Sequence, residues 1–242
     1  MKTNKEIKNW YNAFSKKQLT TGTNLRHYTI MNHLLSSGLR KNNSVLEIGC
    51  GIGTLTGLLH KYLKKGKLVA TDISNDSIKI AKTRISKSNN IDFLTTDMKD
   101  FDYPEKFDFI VLPDVLEHIP IEQHQGLFRV LAKHMHNESR LLIHIPHPKA
   151  LDFIRVHNPD KLQIIDQSIS ADMLLKDAYS NDLILINYTP CSLFNKEADY
   201  VLVRFKKNNN ITLTPLPKSV IIRRKFIARI KFLLVRLYNS IL

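Results

Sequence analysis

The chain has 242 residues, a formal net charge of +14 at pH 7 and 43% hydrophobic residues. That length buries the core of one α/β domain with appendages, and the apolar content is that of an ordinary globular protein. Two cysteines, Cys50 and Cys191, are too few for a disulfide framework, and no apolar run approaches membrane-spanning length.

The first residues, Met1 to Lys5, lack the apolar core of a signal peptide, so the sequence predicts a cytoplasmic protein. Residues 4–20 read as a helix, with Ile7, Trp10, Tyr11, Phe14 and Leu19 recurring near a 3.6 period. After the break at Thr20–Asn24, Asn24 caps a second helix that carries Leu25, Tyr28, Ile30, Met31, Leu34 and Leu35 and ends at Gly38. Val45-Leu46-Glu47-Ile48 is a short buried strand running into the loop Gly49-Cys50-Gly51-Ile52-Gly53, and Thr54–Lys64 is the helix after it. Lys67–Asp72 is a second strand closed by an acid, and Asn75 caps the helix that follows. The third strand surrounds Phe93 and Leu94, and the fourth runs from Phe107 to Asp114. A helix spans 121–136, and Arg140–Ile145 is the fifth strand, closed by Pro146-His147-Pro148. Such alternation implies a parallel sheet with right-handed crossovers. Residues 149–180 read as helical pieces too apolar for a free linker. Leu183–Tyr188 and Tyr200–Lys206 read as an exposed edge pair of strands.

Three glycines at alternate positions let the loop backbone lie against a ligand, with the free N–H groups of the next helix above it. Asp72, about 20 residues beyond the loop, can accept hydrogen bonds from two ribose hydroxyls. A dinucleotide fingerprint needs a glycine where Thr54 or Thr56 stands, and Glu47 suits a cationic ligand better than a pyrophosphate. The pattern E-x-G-x-G-x-G with an acid closing the second strand resembles the class I S-adenosylmethionine-dependent methyltransferases. Phe93–Met98, Phe107–Asp114 and Val115–Ile119, with its E-H-I segment, match that family in order.

The resemblance covers roughly residues 40–146. It implies a doubly wound, mostly parallel seven-stranded sheet of the Rossmann-like methyltransferase type. Its domains would be N-terminal lid helices over 1–40, a cofactor-binding domain over 41–207 with an acceptor-side insertion at 149–180, and a tail helix over 218–242. It places Gly49, Gly51 and Gly53 against the methionine part of S-adenosyl-L-methionine and Glu47 at its amino group. Asp72, with Ile73 beside it, would hold the ribose, Asp97 and Met98 would frame the adenine, and Pro113 and Asp114 would line the methyl-transfer mouth. His118, after the fourth strand, is the candidate general base, since an imidazole near its ordinary pKa accepts a hydroxyl proton at neutral pH; capping the next element is the other reading. His144 reads as a packed histidine. Tyr11, Arg26, Tyr28 and His147 are the candidate acceptor-binding residues, with the tyrosines also readable as core and Arg26 as a solvated charge.

No histidine has metal-ligand order, so no metal is expected. The expected activity is methyl transfer to a hydroxyl of a small molecule or glycan, lipid-linked or made at the membrane in surface-polysaccharide or natural-product assembly. The alternatives are N-methylation of a small amine, and a non-enzymatic cofactor-binding partner protein docked on membrane or RNA through its basic tail. The absence of an Asn/Asp-Pro-Pro-aromatic turn after the fourth strand argues against nucleic-acid amines. Finally, Lys218, Arg223, Arg224, Lys225, Arg229, Lys231 and Arg236 put seven cations after residue 217 with no acid to offset them. Ile222, Phe226, Ile230, Leu233, Leu237 and Ile241 form an apolar seam. This composition suits a helix lying in the plane of an anionic membrane at the cytoplasmic face, or one packed on its own domain.

Overall fold

The computed structural model describes Glu6, Trp10, Tyr11 and residues 22–85, 89–209 and 213–239, with side chains through Arg236. Apart from Glu6, Trp10 and Tyr11, which are helical, the helix expected over 4–20 lies outside the described residues.

Helix α1 (Leu25–Ser36) starts where the sequence predicts. The Asn24 side chain accepts from the Arg26 N–H at 3.1 Å, and the Asn24 N–H donates to His27 Nδ1 at 3.1 Å, a reciprocal cap. β1 (Ser44–Ile48), α2 (Thr54–Tyr62), β2 (Lys67–Asp72), α3 (Asn75–Arg84) and β3 (Ile91–Thr95) follow. The cap of α3 is Ser74 rather than Asn75: the Ser74 hydroxyl accepts from the Ser77 N–H at 3.0 Å, and Asn75 is the first helical residue. After β4 (Phe107–Pro113) come a 3-10 turn (Leu116–His118), α4 (Ile121–Lys133), β5 (Met135–Pro146), α5 (Pro148–His157), α6 (Ala171–Tyr179), β6 (Leu183–Cys191) and β7 (Tyr200–Lys207). β5 begins five residues earlier than its apolar run: the buried Met135 pairs with Phe107, and the Ser139 hydroxyl donates to the Phe107 carbonyl at 2.6 Å across an irregularity in the register.

The seven strands lie in the order β3-β2-β1-β4-β5-β7-β6. β1 to β5 are parallel, while β7 is antiparallel to both β5 and β6. β7 is therefore interior, with Val201, Leu202, Val203 and Phe205 buried, and not half of an exposed edge pair. Its alternation faces two covered sides, which is why Leu202 is as buried as Val203. One core joins α1 and α2 to Val45, Leu68, Phe109, Val111 and Leu142; the other joins α4 and α6 to Leu46, Ile110, Leu141, Ile143 and Phe205. Fully burying each such side chain stabilises the fold by about 1.5–3 kcal/mol.

β1 and β4 are neighbours, and the strand order runs outward from them in opposite directions. A crevice opens at their carboxyl ends, the position where open α/β sheets take ligands.

The chain divides into two compact units, one ending at Asn208 and the other Asn209–Leu242. Within the second, α7 (Lys218–Asn239) carries all seven tail cations on one 22-residue helix. At 100° per residue, Lys218, Lys225, Arg229 and Arg236 align on one side of it, and Ile222, Phe226, Ile230 and Leu233 on an adjoining arc. No helix among the described residues is long and apolar enough to cross a membrane.

Candidate active site

A cavity of about 680 Å³ occupies the crevice, lined by the glycine loop, the ends of β2 and β4, and Thr96 to Met98. Trp10, Tyr11, Arg26, His27, His118 and residues 160–163 close over it.

The loop after β1 is built on left-handed backbone at Gly49 (φ 74°), Gly51 (φ 52°) and Gly53 (φ 80°). At Gly49 a Cβ would come within 2.2 Å of Val115 Cγ2, so only glycine fits between β1 and the turn after β4. The loop is pinned to β2 by its backbone, with Gly49 and Cys50 N–H donating to the Thr71 carbonyl at 2.8 and 2.9 Å. Asp72 completes the clamp: Oδ2 accepts from Gly51 N–H at 2.8 Å and Oδ1 from Ser74 N–H at 2.8 Å. Burial raises the Asp72 pKa against the pull of these two N–H groups. Ile73 lines the cavity beside it.

Glu47 is completely buried in β1 and lines the cavity. Neither of its carboxylate oxygens has a hydrogen-bond partner among the described residues. Burial pushes its pKa up to about 8; Thr56 lies close enough to draw it partly back without a hydrogen bond of normal geometry. An unpartnered buried carboxylate is costly, so this atom pair fits a cationic ligand group. On the far wall Asp97 is exposed at the cavity rim, its Oδ1 accepting from Lys99 N–H at 3.2 Å. Met98 is buried with φ 68° and receives the Thr71 hydroxyl on its sulfur at 3.6 Å.

Asp114 follows Pro113 at the end of β4 in left-handed backbone (φ 56°). Its Oδ1 meets His144 Nδ1 at 2.5 Å, and its Oδ2 meets Arg26 Nη1 at 2.7 Å. Burial alone would raise the Asp114 pKa; His144 and Arg26 outweigh it and hold it down to about 2. His144 is indeed packed, fully buried and stacked on Tyr200 with ring centroids 4.8 Å apart, but it is also the inner partner of Asp114. An ionised Asp114 fixes the Nδ1–H tautomer of His144. Arg26 sits over the Tyr200 ring, and its Nε and Nη2 have no hydrogen-bond partner among the described residues.

His118 lines the cavity, yet its ring is engaged on both edges. Nδ1 donates to the Ile165 carbonyl at 2.6 Å and lies 3.1 Å from Asp166 Oδ1, while Nε2 lies 3.7 Å from Glu117 Oε1. Burial works against its charge, but Glu117 and Asp166 raise its pKa to about 9. Burial likewise pushes the Glu117 carboxyl up to about 8, against the pull of His118. Nδ1 is thus taken up by Ile165 and Asp166, and the group nearest Nε2 is an acid, so the surroundings of this ring favour its charged form over the neutral form that a general base needs.

Of the expected acceptor residues, Tyr11 and Arg26 line the cavity, and the Tyr11 ring lies 6.0 Å from that of His118. Tyr28 is 53% exposed on the outer side of α1 and His147 caps α5, so neither lines it. The helical spacing that puts Arg26, His27 and Ile30 on the lining turns Tyr28 away. Residues 160–163 lie in the segment read from the sequence as an acceptor-side insertion, while Glu117 and the side chains of Tyr200 and Asp166 are contributors that sequence reasoning passed over. Glu117 had a local signal, an acid beside a histidine in an apolar stretch; the others come from distant segments and had none.

Residues 45–138, less than half of the chain, match the family model of a methyltransferase domain. A malonyl-[acyl-carrier protein] O-methyltransferase from Priestia megaterium is 29% identical over 84 residues, 35% of this chain and 30% of that one. A phosphoethanolamine N-methyltransferase from Plasmodium falciparum is 32% identical over 107 residues, 43% of this chain and 40% of that one. The chain thus spans less than half the length of these curated relatives. Magnesium protoporphyrin IX methyltransferase from Synechocystis PCC 6803, solved with bound SAH, superposes with a TM-score of 0.67 at 17% identity, covering 84% of this chain and 99% of that one. The fold is that of the class I S-adenosylmethionine-dependent methyltransferases.

Proposed function

We propose that this chain, which carries a methyltransferase domain on the class I fold, moves a methyl group from S-adenosyl-L-methionine to an oxygen of a small molecule or glycan. The observation that carries the cofactor is Glu47: two unpartnered, buried carboxylate oxygens beside a glycine loop that no side chain could replace. They match the ammonium of the cofactor's methionine part, and Asp72 at the end of β2 matches the ribose. The bound cofactor supplies an electrophilic methyl group on a sulfonium; the product is S-adenosyl-L-homocysteine. The protein's own task is to place the acceptor in line and exclude water.

Support for an oxygen acceptor comes from Arg26. Arg26 brings to the cavity a guanidinium with donors unpaired among the described residues, suited to an anionic or oxygen-rich acceptor. With His118 Nδ1 engaged by Ile165 and Asp166, an acceptor oxygen that is already anionic needs less from this site than a neutral hydroxyl does. The malonyl-carrier relative is named for O-methylation. The second reading, an amine acceptor, is favoured by the acids Glu117 and Asp166 beside Tyr11, by Asp114 on the lining, and by the phosphoethanolamine relative. Mass spectrometry of mixtures with S-adenosyl-L-methionine and matched carboxylates, sugars and primary amines separates them. A +14 Da product from the oxygen panel alone supports the proposal, and one from the amine panel alone overturns it.

We also place α7 on an anionic bilayer surface, a position compatible with a lipid-linked acceptor. Its support is charge: seven cations, no acid, and an apolar arc beside the cationic side of one helix. Each cation near such a surface is worth about 1 kcal/mol, so full-length protein carrying Arg223→Glu, Arg224→Glu and Lys225→Glu should bind phosphatidylglycerol vesicles at least about 100-fold more weakly. Equal cosedimentation of wild type and variant would rule the bilayer out.

A further inference from the structure

The 3-10 turn after β4 and the segment 162–167 are joined by a compact set of bonds centred on His118. The segment itself has no regular secondary structure. From one side, His118 Nδ1 grips the Ile165 carbonyl and the Asp166 carboxylate. Beside it, the Gln167 N–H donates to the Glu117 carbonyl at 3.0 Å and Gln167 Nε2 to the Ile119 carbonyl at 2.6 Å. Asp166 in turn folds the segment, its Oδ2 accepting from the Gln163 N–H at 2.6 Å. Leu162 and Gln163, at the near end of this segment, line the cavity together with His118 and Ile119. The ring is one-tenth exposed, so these contacts are made with little water between them.

We propose that His118 is a positioning residue that fastens the 162–167 segment over the acceptor end of the cavity. It sets the shape in which Leu162 and Gln163 meet the acceptor, and it does not take the acceptor's proton. The proposal rests on the methyl-transfer reading only in calling that end the acceptor end; the fastening itself is a statement about the protein alone.

The charge on the ring strengthens the grip. Glu117 on its own turn, Asp166 on the segment and Asp114 after β4 are the acids that face it, and Tyr11 is the remaining titratable neighbour. Because the folded pKa is raised to about 9, the contribution of the imidazolium is complete below its ordinary pKa near 6.5. It is lost as pH rises through about 9. Glu117 ionises in the same range and holds the cation more tightly, so loosening follows His118.

The test is amide hydrogen exchange of the full-length protein, read at 162–167. His118→Asn keeps an N–H donor near the Nδ1 position and cannot act as an imidazole base; His118→Phe keeps the ring and loses both donors. His118→Phe should lower protection at Gln163 and Gln167 about 10-fold or more while the sheet stays protected, and His118→Asn should stay close to wild type. In wild type, protection of these two amides, corrected for intrinsic rate, should fall as pH passes 9, a readout that stands even if a variant does not fold. Unchanged protection in His118→Phe, equal loss in His118→Asn, or a flat wild-type profile to pH 10 would overturn the proposal. Calorimetry with S-adenosyl-L-homocysteine reports separately on the cofactor reading, so the two can fail independently.

Discussion

Glu47→Gln is expected to weaken S-adenosyl-L-methionine binding about 100-fold, roughly 2.7 kcal/mol, and at the same time to stabilise the cofactor-free protein at alkaline pH. Both effects come from one carboxylate with no partner in β1. Its pKa is about 8 when folded and cofactor-free, so the folded state holds a proton that the unfolded chain has lost. The contribution of Glu47 to wild-type stability therefore falls as pH rises from about 4.5 through 8. The amide does not ionise, and its advantage at pH 9 should be about 5 kcal/mol. The ammonium of the ligand reverses the balance by supplying the missing partner, so binding to wild type should tighten toward pH 8 and release a proton. Calorimetry in two buffers of different ionisation enthalpy and denaturant unfolding at pH 6 and 9 measure both effects. If the variant binds as well as wild type and unfolds with the same pH profile, Glu47 is not the ammonium site.

Asp72→Ala should abolish measurable cofactor binding and destabilise the fold, because this carboxylate does two jobs. It faces the cavity, and it holds Gly51 and Ser74 N–H at 2.8 Å each. Its removal leaves two partly buried donors without acceptors, at about 1–3 kcal/mol apiece. The loop that those bonds shape is then free to leave its left-handed geometry. Asp72→Asn retains one acceptor oxygen and should fall between wild type and alanine in both affinity and unfolding free energy. Titration with S-adenosyl-L-homocysteine and urea unfolding give the order; equal binding by wild type and Asp72→Ala would remove the ribose assignment.

The cofactor half of this protein was legible because its determinants are local. Glu47, the three glycines and Asp72 lie within 26 residues, and the strands that carry them announce themselves as short apolar runs. Register then follows from the hydrophobic pattern, since a one-residue slip would turn Leu46 and Ile48 to the wrong face. The acceptor half was not legible in the same way. His118 looked like a base because its position after β4 is informative and its surroundings are not: Asp166 and Ile165 arrive from 47 or more residues away. His144 looked like filler in an apolar strand, and nothing nearby in sequence reveals that Asp114 points at it from across a strand pair. Ser74 rather than Asn75 caps α3 because Asp72 already takes the Ser74 N–H and orients its hydroxyl inward. The interior place of β7 was hidden because alternation alone cannot tell one covered face from two.

That place of β7 bears on how the protein is made. Four of the five parallel strands, β1 to β4, are complete by Pro113, so the nucleotide-type half can assemble early from contacts of short range. β5 then emerges with an unpaired flank, Arg140 to Pro146, whose partners are Tyr200 to Lys206. Until some sixty more residues have left the ribosome, the apolar row Leu141, Leu142, Ile143 and Ile145 sits at an open sheet edge. Open edges of this kind recruit other strands. A chain stopped before Tyr200 would thus be prone to self-association along β5, whereas one extending past Lys207 has that flank covered.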